Sequence, residues 1–240
     1  VVDDSGAAYT YTELRDMADH FSSYLYYISD IKPGTKTGIM LFNSVEFCVT
    51  FLALTKLGAV VIPLPSKYSR NEVLSLTAKA DLQYILCDEK FYDWFVPLET
   101  SGVHLMKPGR SQDGFGFSHL CASYLSPVPS LGREEDDALI MFTSGTTGKS
   151  KGVMLTHRNL AENATCLDMK IPERTVIMSV LPIHHAYCLS MDILKGISLG
   201  AVICINDSLL RVAKNIKLFK PEMILMAVSY THLRAHETCA

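Results

Sequence analysis

Apolar residues along this chain recur at two periods, and the alternation between them predicts the fold class. Residues 7–11 read as a short strand. Thr12 is then placed to cap a helix whose Leu14, Met17, Ala18, Phe21 and Leu25 fall near one face. After the Pro33-Gly34 turn, residues 37–42 have the look of a buried strand. Asn43 or Ser44 can cap the next helix, which carries Phe47, Phe51, Leu54 and Leu57 and stops at Gly58. A strand at Val60-Val61-Ile62 follows, ended by Pro63 and Pro65, then a helix over 70–80 and a strand over 83–87. Further on, strands are expected at 139–142, 175–180, 201–205 and 223–226. Helices are expected at 159–169, 191–199 and 208–219. Such repetition predicts an α/β fold of βαβ units with largely parallel sheets. Residues 108–135, rich in Gly, Ser and Pro, read as a loop-rich connection between a first lobe and the rest.

Composition narrows the class of partner. A net charge of −3 and a pI near 6.2 give no electrostatic reason to expect nucleic acid. Seven cysteines are scattered without a CxxC pair, which suits reduced, small core residues in a cytoplasmic protein. The apolar stretch 45–64 is interrupted by Glu46, Lys56, Gly58 and Pro63, so it reads as a buried helix and strand, not a membrane span of about 20 apolar residues. The start, Val1-Val2-Asp3-Asp4, lacks the basic and apolar regions of a signal peptide, and with no initiator Met the expectation is a chain cut at its beginning.

The densest chemistry lies in MFTSGTTGKSKGVMLTH, from Met141 to His157. Apolar strand-like residues lead into a run of Thr, Ser, Gly and Lys, and Val153, Met154 and Leu155 lead out to a helix starting near Thr156 or His157. Glycines let a backbone approach a ligand, hydroxyls donate hydrogen bonds and lysines supply charge, which together suit a polyphosphate. A Walker loop would need a glycine five residues before Gly148, where this chain has Thr143. Backbone N–H groups of Gly145, Thr146, Thr147 and Gly148 can form an anion nest, with the hydroxyls of Thr143, Ser144, Thr146 and Thr147 adding hydrogen bonds. The acidic run Glu134-Glu135-Asp136-Asp137 reads as a solvated strand entry.

The loop resembles the nucleotide loop of the adenylate-forming enzymes, the superfamily of acyl-CoA synthetases, aryl-CoA ligases, luciferases and peptide-synthetase adenylation domains. Phe142, Thr143, Ser144, Gly145, Thr146, Thr147, Gly148, Lys151, Gly152 and Val153 match its pattern, with Ser150 at the usual proline. Residues 9–25 and 52–73 resemble two earlier blocks of the same family, in the right order. The resemblance implies a small-molecule carboxylate joined to the α-phosphate of ATP with loss of pyrophosphate, then transferred to coenzyme A. Lys151 would offset charge on the departing pyrophosphate, and Thr143 would contribute to a Mg²⁺ site. Pro182-Ile183-His184-His185 resembles a second family segment, which places His185 between carboxylate and nucleotide and leaves His184 structural. A fatty acid is the expected substrate, with peripheral membrane association conceivable for a long-chain one. An amino-acid-adenylating module is the alternative, and a nucleotide-binding or non-folding fragment without catalysis is another.

The resemblance covers about residues 7–227. The family's adenine-binding glycines, Tyr-Gly-x-Thr-Glu turn, ribose-binding aspartate and mobile-domain lysine are not among these 240 residues. A partial AMP-binding domain over 1–227 is therefore expected, inactive alone, with residues 228–240 a non-native tail.

Overall fold

The computed structural model describes residues 1–3, 5–107, 126–143, 150–166, 170–206 and 208–225. Two sheets carry it. The larger has six strands in the order β4-β3-β1-β2-β5-β6, and the smaller has three in the order β8-β7-β9. Their ranges are β1 Lys36–Met40, β2 Val60–Pro63, β3 Tyr84–Cys87, β4 His104–Met106, β5 Asp137–Thr143, β6 Lys151–Thr156, β7 Val176–Ser179, β8 Val202–Ile205 and β9 Met223–Leu225. All pairings are parallel except β5–β6. That exception follows from chain length: the connection over 144–149 is too short for a parallel crossover, which needs a dozen residues or more.

The strands read as continuous apolar runs because both faces of the sheet are covered. Successive residues alternate between two cores. Ile39, Val61 and Leu86 belong to one cluster, shared with helices α1 (Tyr11–Tyr27) and α2 (Val45–Lys56) and with Met178, Ile203 and Ile205 of the small sheet. Met40, Ile62 and Ile85 belong to the other, under α3 (Arg70–Ala80) and α4 (Glu89–Glu99). The layer of α1 and α2 thus packs between the two sheets, and an ion pair of 2.7 Å between Asp19 and Lys56 ties the two helices together.

Local chemistry sets the helix ends. Ser44 caps α2 by accepting from the Phe47 N–H at 3.2 Å, which leaves the Asn43 side chain free for another task. Gly58 (φ +70°) ends that helix in a left-handed conformation. Ser69 and Glu72 form a reciprocal capping box on α3, whose range matches the expected 70–80.

Several expectations are corrected. No strand forms over 7–11; Ala8 makes only an isolated bridge to Val2. The first helix is capped by Thr10 rather than Thr12, because Glu13 stands three residues after Thr10 and both bonds of a capping box close between them. The helix α4 and strand β4 were not anticipated. The helix expected at 191–199 starts earlier, as a π-helix over Cys188–Leu194 that continues α-helically over Lys195–Ser198 (together α6, after α5 at His157–Cys166). The helix expected at 208–219 is a 3₁₀ turn over Leu209–Arg211 followed by α7 at Val212–Phe219. Cys48, Cys87, Cys188 and Cys204 are buried as expected, but Cys166 is exposed. Of the connection over 108–135, residues 108–125 lie outside the described residues, as does the segment 228–240. Among the described residues no helix is long and apolar enough to cross a membrane.

Candidate functional site

In parallel α/β sheets, ligands bind beyond the carboxyl ends of the strands. Here those ends carry Thr143 (β5), the Leu181–His185 turn after β7, Asn206 after β8 and Asn43 after β1. Thr143 and Lys151 are register partners at the mouth of the β5–β6 hairpin. Both are exposed, and the Thr143 hydroxyl makes only a long contact, 3.4 Å, to the Lys151 carbonyl. Ser144, Gly145, Thr146, Thr147 and Gly148 lie outside the described residues. The hairpin therefore fixes the two ends of that segment. Lys79 of α3 donates to the Ser150 carbonyl, its ammonium also sitting 5.8 Å from the centre of the Phe142 ring, and so braces the second end. Lys79 was not anticipated, since nothing in its local sequence announces a partner 71 residues away.

The turn after β7 brings the histidines to the same edge. The His185 N–H donates to the Pro182 carbonyl at 2.9 Å, and the His185 carbonyl accepts from Leu189 at 3.0 Å, so the turn runs directly into α6. His185 is exposed and His184 half-buried. Burial, with the nearby charges of His185 and Lys67, pushes the His184 imidazole down to about 4, so it is neutral at physiological pH. The stability tied to this shift is complete above the ordinary value of 6.5 and is lost as pH falls from there through about 4. Two cavities flank the turn. One of about 400 Å³ is mostly apolar, lined by Leu139, Leu155, Leu160, Ala186 and Leu189, with Ser190 among its polar groups. The other, about 290 Å³, lies between the sheets and includes Phe42, Asn43, Ser66, Lys67, Pro182 and Asn206 in its lining.

Behind the turn is a buried polar cluster that pattern reading missed. The Ser179 hydroxyl and Cys188 thiol are 3.1 Å apart, and the thiol lies 3.4 Å from the Leu181 carbonyl. Asp192, fully buried, makes no hydrogen bond of ordinary geometry with either carboxyl oxygen. Burial pushes its pKa up to about 7, and the neighbouring Ser179 and Cys188 pull it partway back. A folded-state value above the ordinary 3.8 means that the folded chain holds this proton more tightly. Its contribution to stability is full below about 4 and lost as pH rises towards 7. Asp192→Asn should therefore raise stability at pH 7.5 by on the order of 2 kcal/mol and change it much less at pH 4.5. Thermal melts at the two pH values check this, and an equal shift at both would show that the proton is not involved.

The acidic run before β5 stands in solvent as expected, with Glu134 and Glu135 exposed, and it also has a cationic partner. Arg158 of α5 bonds Glu135 at 2.6 Å and Glu134 at 2.7 Å, closing the base of the hairpin. Among the described residues no group of three or more His, Cys, Asp or Glu is placed to hold a metal. The exposed Thr143 hydroxyl is one oxygen donor with little else bonded to it. That suits Mg²⁺ held mainly by phosphate and water, the habit of this ion.

Comparison with known proteins places these features. The model of the AMP-binding enzyme family matches residues 1–234. A medium-chain fatty-acid–CoA ligase of Escherichia coli (strain K12) is 30% identical over 78% of the chain and 35% of its own length. A 4-coumarate–CoA ligase-like protein (number 6) of Arabidopsis thaliana is 28% identical over 84% of the chain and 38% of its own length. The crystal structure of ATP-bound MatB from Rhodopseudomonas palustris superposes with a TM-score of 0.81 at 26% identity, covering 90% of this chain and 43% of that one. The chain thus spans well under half the length of these proteins.

Proposed function

Because this chain belongs to the AMP-binding enzyme family, we propose that it supplies the pyrophosphate-side half of a site that activates a carboxylic acid with ATP for transfer to coenzyme A. The observation that carries the reading is the β5–β6 hairpin, which holds Thr143 and Lys151 opposite each other at the two ends of a Thr/Ser/Gly-rich segment. An anion cradled there would meet backbone N–H groups and hydroxyls of residues 144–148 and the Lys151 ammonium. Adenylation breaks the bond between the α- and β-phosphates, and negative charge grows on the leaving pyrophosphate. A cation carried at a strand end beside the leaving group offsets that charge.

The reacting carboxylate would sit on the other side of the α-phosphate, towards the His184–His185 turn. His185, exposed at the edge, is the imidazole that can donate to the carboxylate or the α-phosphate. His184, held neutral, adds no competing positive charge beside it. Thr143 would supply one protein oxygen to Mg²⁺, which when bound neutralises phosphate charge. The apolar cavity next to Ala186 offers room for an apolar tail, which supports a fatty-acid substrate. The medium-chain fatty-acid–CoA ligase among the relatives points the same way, and coenzyme A is the thiol acceptor that its name implies.

The test is a thermal melt of the purified chain with and without ATP and Mg²⁺. A cooperative transition that moves up with nucleotide, by roughly 2.7 kcal/mol at a hundred times Kd, supports the nucleotide half of the site. A cooperative transition indifferent to ATP at millimolar concentration sinks it. The same melt with amino acids in place of fatty acids, both alongside ATP, separates the two carboxylate classes.

A further inference from the structure

At the junction of the two sheets one side chain does three jobs. Asn43 stands three residues after the end of β1 and immediately before the Ser44 cap of α2, so its backbone is held between two elements. Its amide nitrogen donates to the Leu181 carbonyl at 2.7 Å and to the Asn206 carbonyl at 3.1 Å. Its amide oxygen accepts from the Ile183 N–H at 2.8 Å. The contacts join residues 138, 163 and 140 positions apart. They bracket Pro182, whose carbonyl in turn holds the His185 N–H.

The far side of the same clamp is braced too. The Asn206 N–H donates to the Ser179 carbonyl at 3.0 Å, and the Asn206 side chain accepts from Asn215 of α7 at 2.9 Å and donates to the Ser208 carbonyl at 2.8 Å. An amide suits this place better than a carboxylate or a hydroxyl. It alone among short side chains offers two donor hydrogens to two carbonyls and an acceptor to an N–H in one plane.

We propose that Asn43 is a positioning residue for the His184–His185 turn, fixing where His185 stands relative to the β5–β6 hairpin by pinning the turn of the small sheet to the carboxyl end of β1. The inference rests on His185 being the imidazole that meets substrate. Asn43 itself touches no reacting atom and acts only through the backbone of Leu181 and Ile183. Without it the two sheets remain joined by the apolar layer of α1 and α2, but the turn is held from one side only.

The experiment uses the 240-residue chain and reads the turn directly. Asn43→Ala is compared with Val73→Ala, a change at a fully buried residue of α3 on the opposite face of the large sheet, which serves as a control for general destabilisation. Hydrogen exchange of the Ile183 and His185 amides and the NMR titration of the His184 imidazole are measured in both. Asn43→Ala should speed exchange at Ile183 at least tenfold. It should also move the His184 titration up towards the ordinary value of 6.5 as the turn opens to water near Lys67 and His185, while Val73→Ala leaves both unchanged. Asn43→Asp keeps the acceptor for Ile183 but sets a carboxylate against two carbonyls. It should retain protection at Ile183 while exchange at Asn206 rises.

Unchanged Ile183 protection and His184 titration in Asn43→Ala, or equal changes in Val73→Ala, overturn the proposal. If Asn43→Ala does not fold, the Asn43→Asp pattern decides: uniform loss of protection at Ile183 and Asn206 overturns it. None of these readouts needs nucleotide. A wild-type chain that ignores ATP would defeat the adenylation reading while leaving the role of Asn43 in the turn to be decided on its own.

Discussion

Lys151→Ala is expected to lower the affinity of the chain for ATP·Mg²⁺ at least tenfold while leaving its melting temperature within a degree or two. In a chain extended to the length of its relatives, it should lower carboxylate-dependent ATP–pyrophosphate exchange by about a hundredfold, the cost of one charge lost at a leaving group. Lys151 begins β6 with its side chain in solvent, and its backbone, not its ammonium, makes the register pair with Thr143. A solvent-facing lysine on a strand contributes little to folding, so a selective effect on nucleotide marks a functional charge. Calorimetric titration with ATP checks the first part. A loss of stability matching the loss of affinity would make Lys151 a structural residue instead.

The second large effect lies in the core. Phe47 is fully buried on α2, between the two sheets, in the cluster that also holds Met178, Ile203 and Leu86. Phe47→Ala removes an aromatic ring from a place that cannot collapse without moving a sheet, and should cost about 3–5 kcal/mol. The midpoint of urea unfolding measures it. Because α2 begins immediately after Asn43 and Ser44, the same change should loosen the His184–His185 turn. A loss below 1 kcal/mol would show that the two sheets are not joined through this helix.

Where sequence reading succeeded, the determinants were local. Ser69 and Glu72 mark the start of α3, Gly58 marks the end of α2, and the Val60–Ile62 run makes β2, each set by residues a few positions apart. Its errors also have local causes. Thr12 stands closer to the first apolar residue of the helical face, but the capping box with Glu13 closes on Thr10. The π-helical Cys188–Leu194 begins before the apolar pattern suggests, since an i→i+5 helix does not follow a 3.6-residue period.

What could not be read was long-range. Asn43 looked like a helix cap, and only the folded chain brings Leu181, Ile183 and Asn206 to its amide. Arg158 on Glu134 and Glu135, and Lys79 on Ser150, are of the same kind. The candidate loop was legible for the opposite reason. Its chemistry is concentrated in consecutive residues, of which Thr143 and Lys151 are the two placed here, and the hairpin register puts them side by side.

The first residues of the chain have a consequence for the order of events during synthesis. Val2 donates to the Ile203 carbonyl and accepts from the Ile205 N–H, both at 2.8 Å, and the Tyr11 hydroxyl reaches the Ala201 carbonyl at 2.5 Å. Translation at about 5–20 residues per second separates Val2 from these partners by roughly 10–40 s. Throughout that interval the face of α1 carrying Leu14, Phe21 and Leu25 has only α2 and the first parallel strands to cover it. The contacts of Val2 and Tyr11 with the small sheet cannot form until the residues through Ile205 have been made.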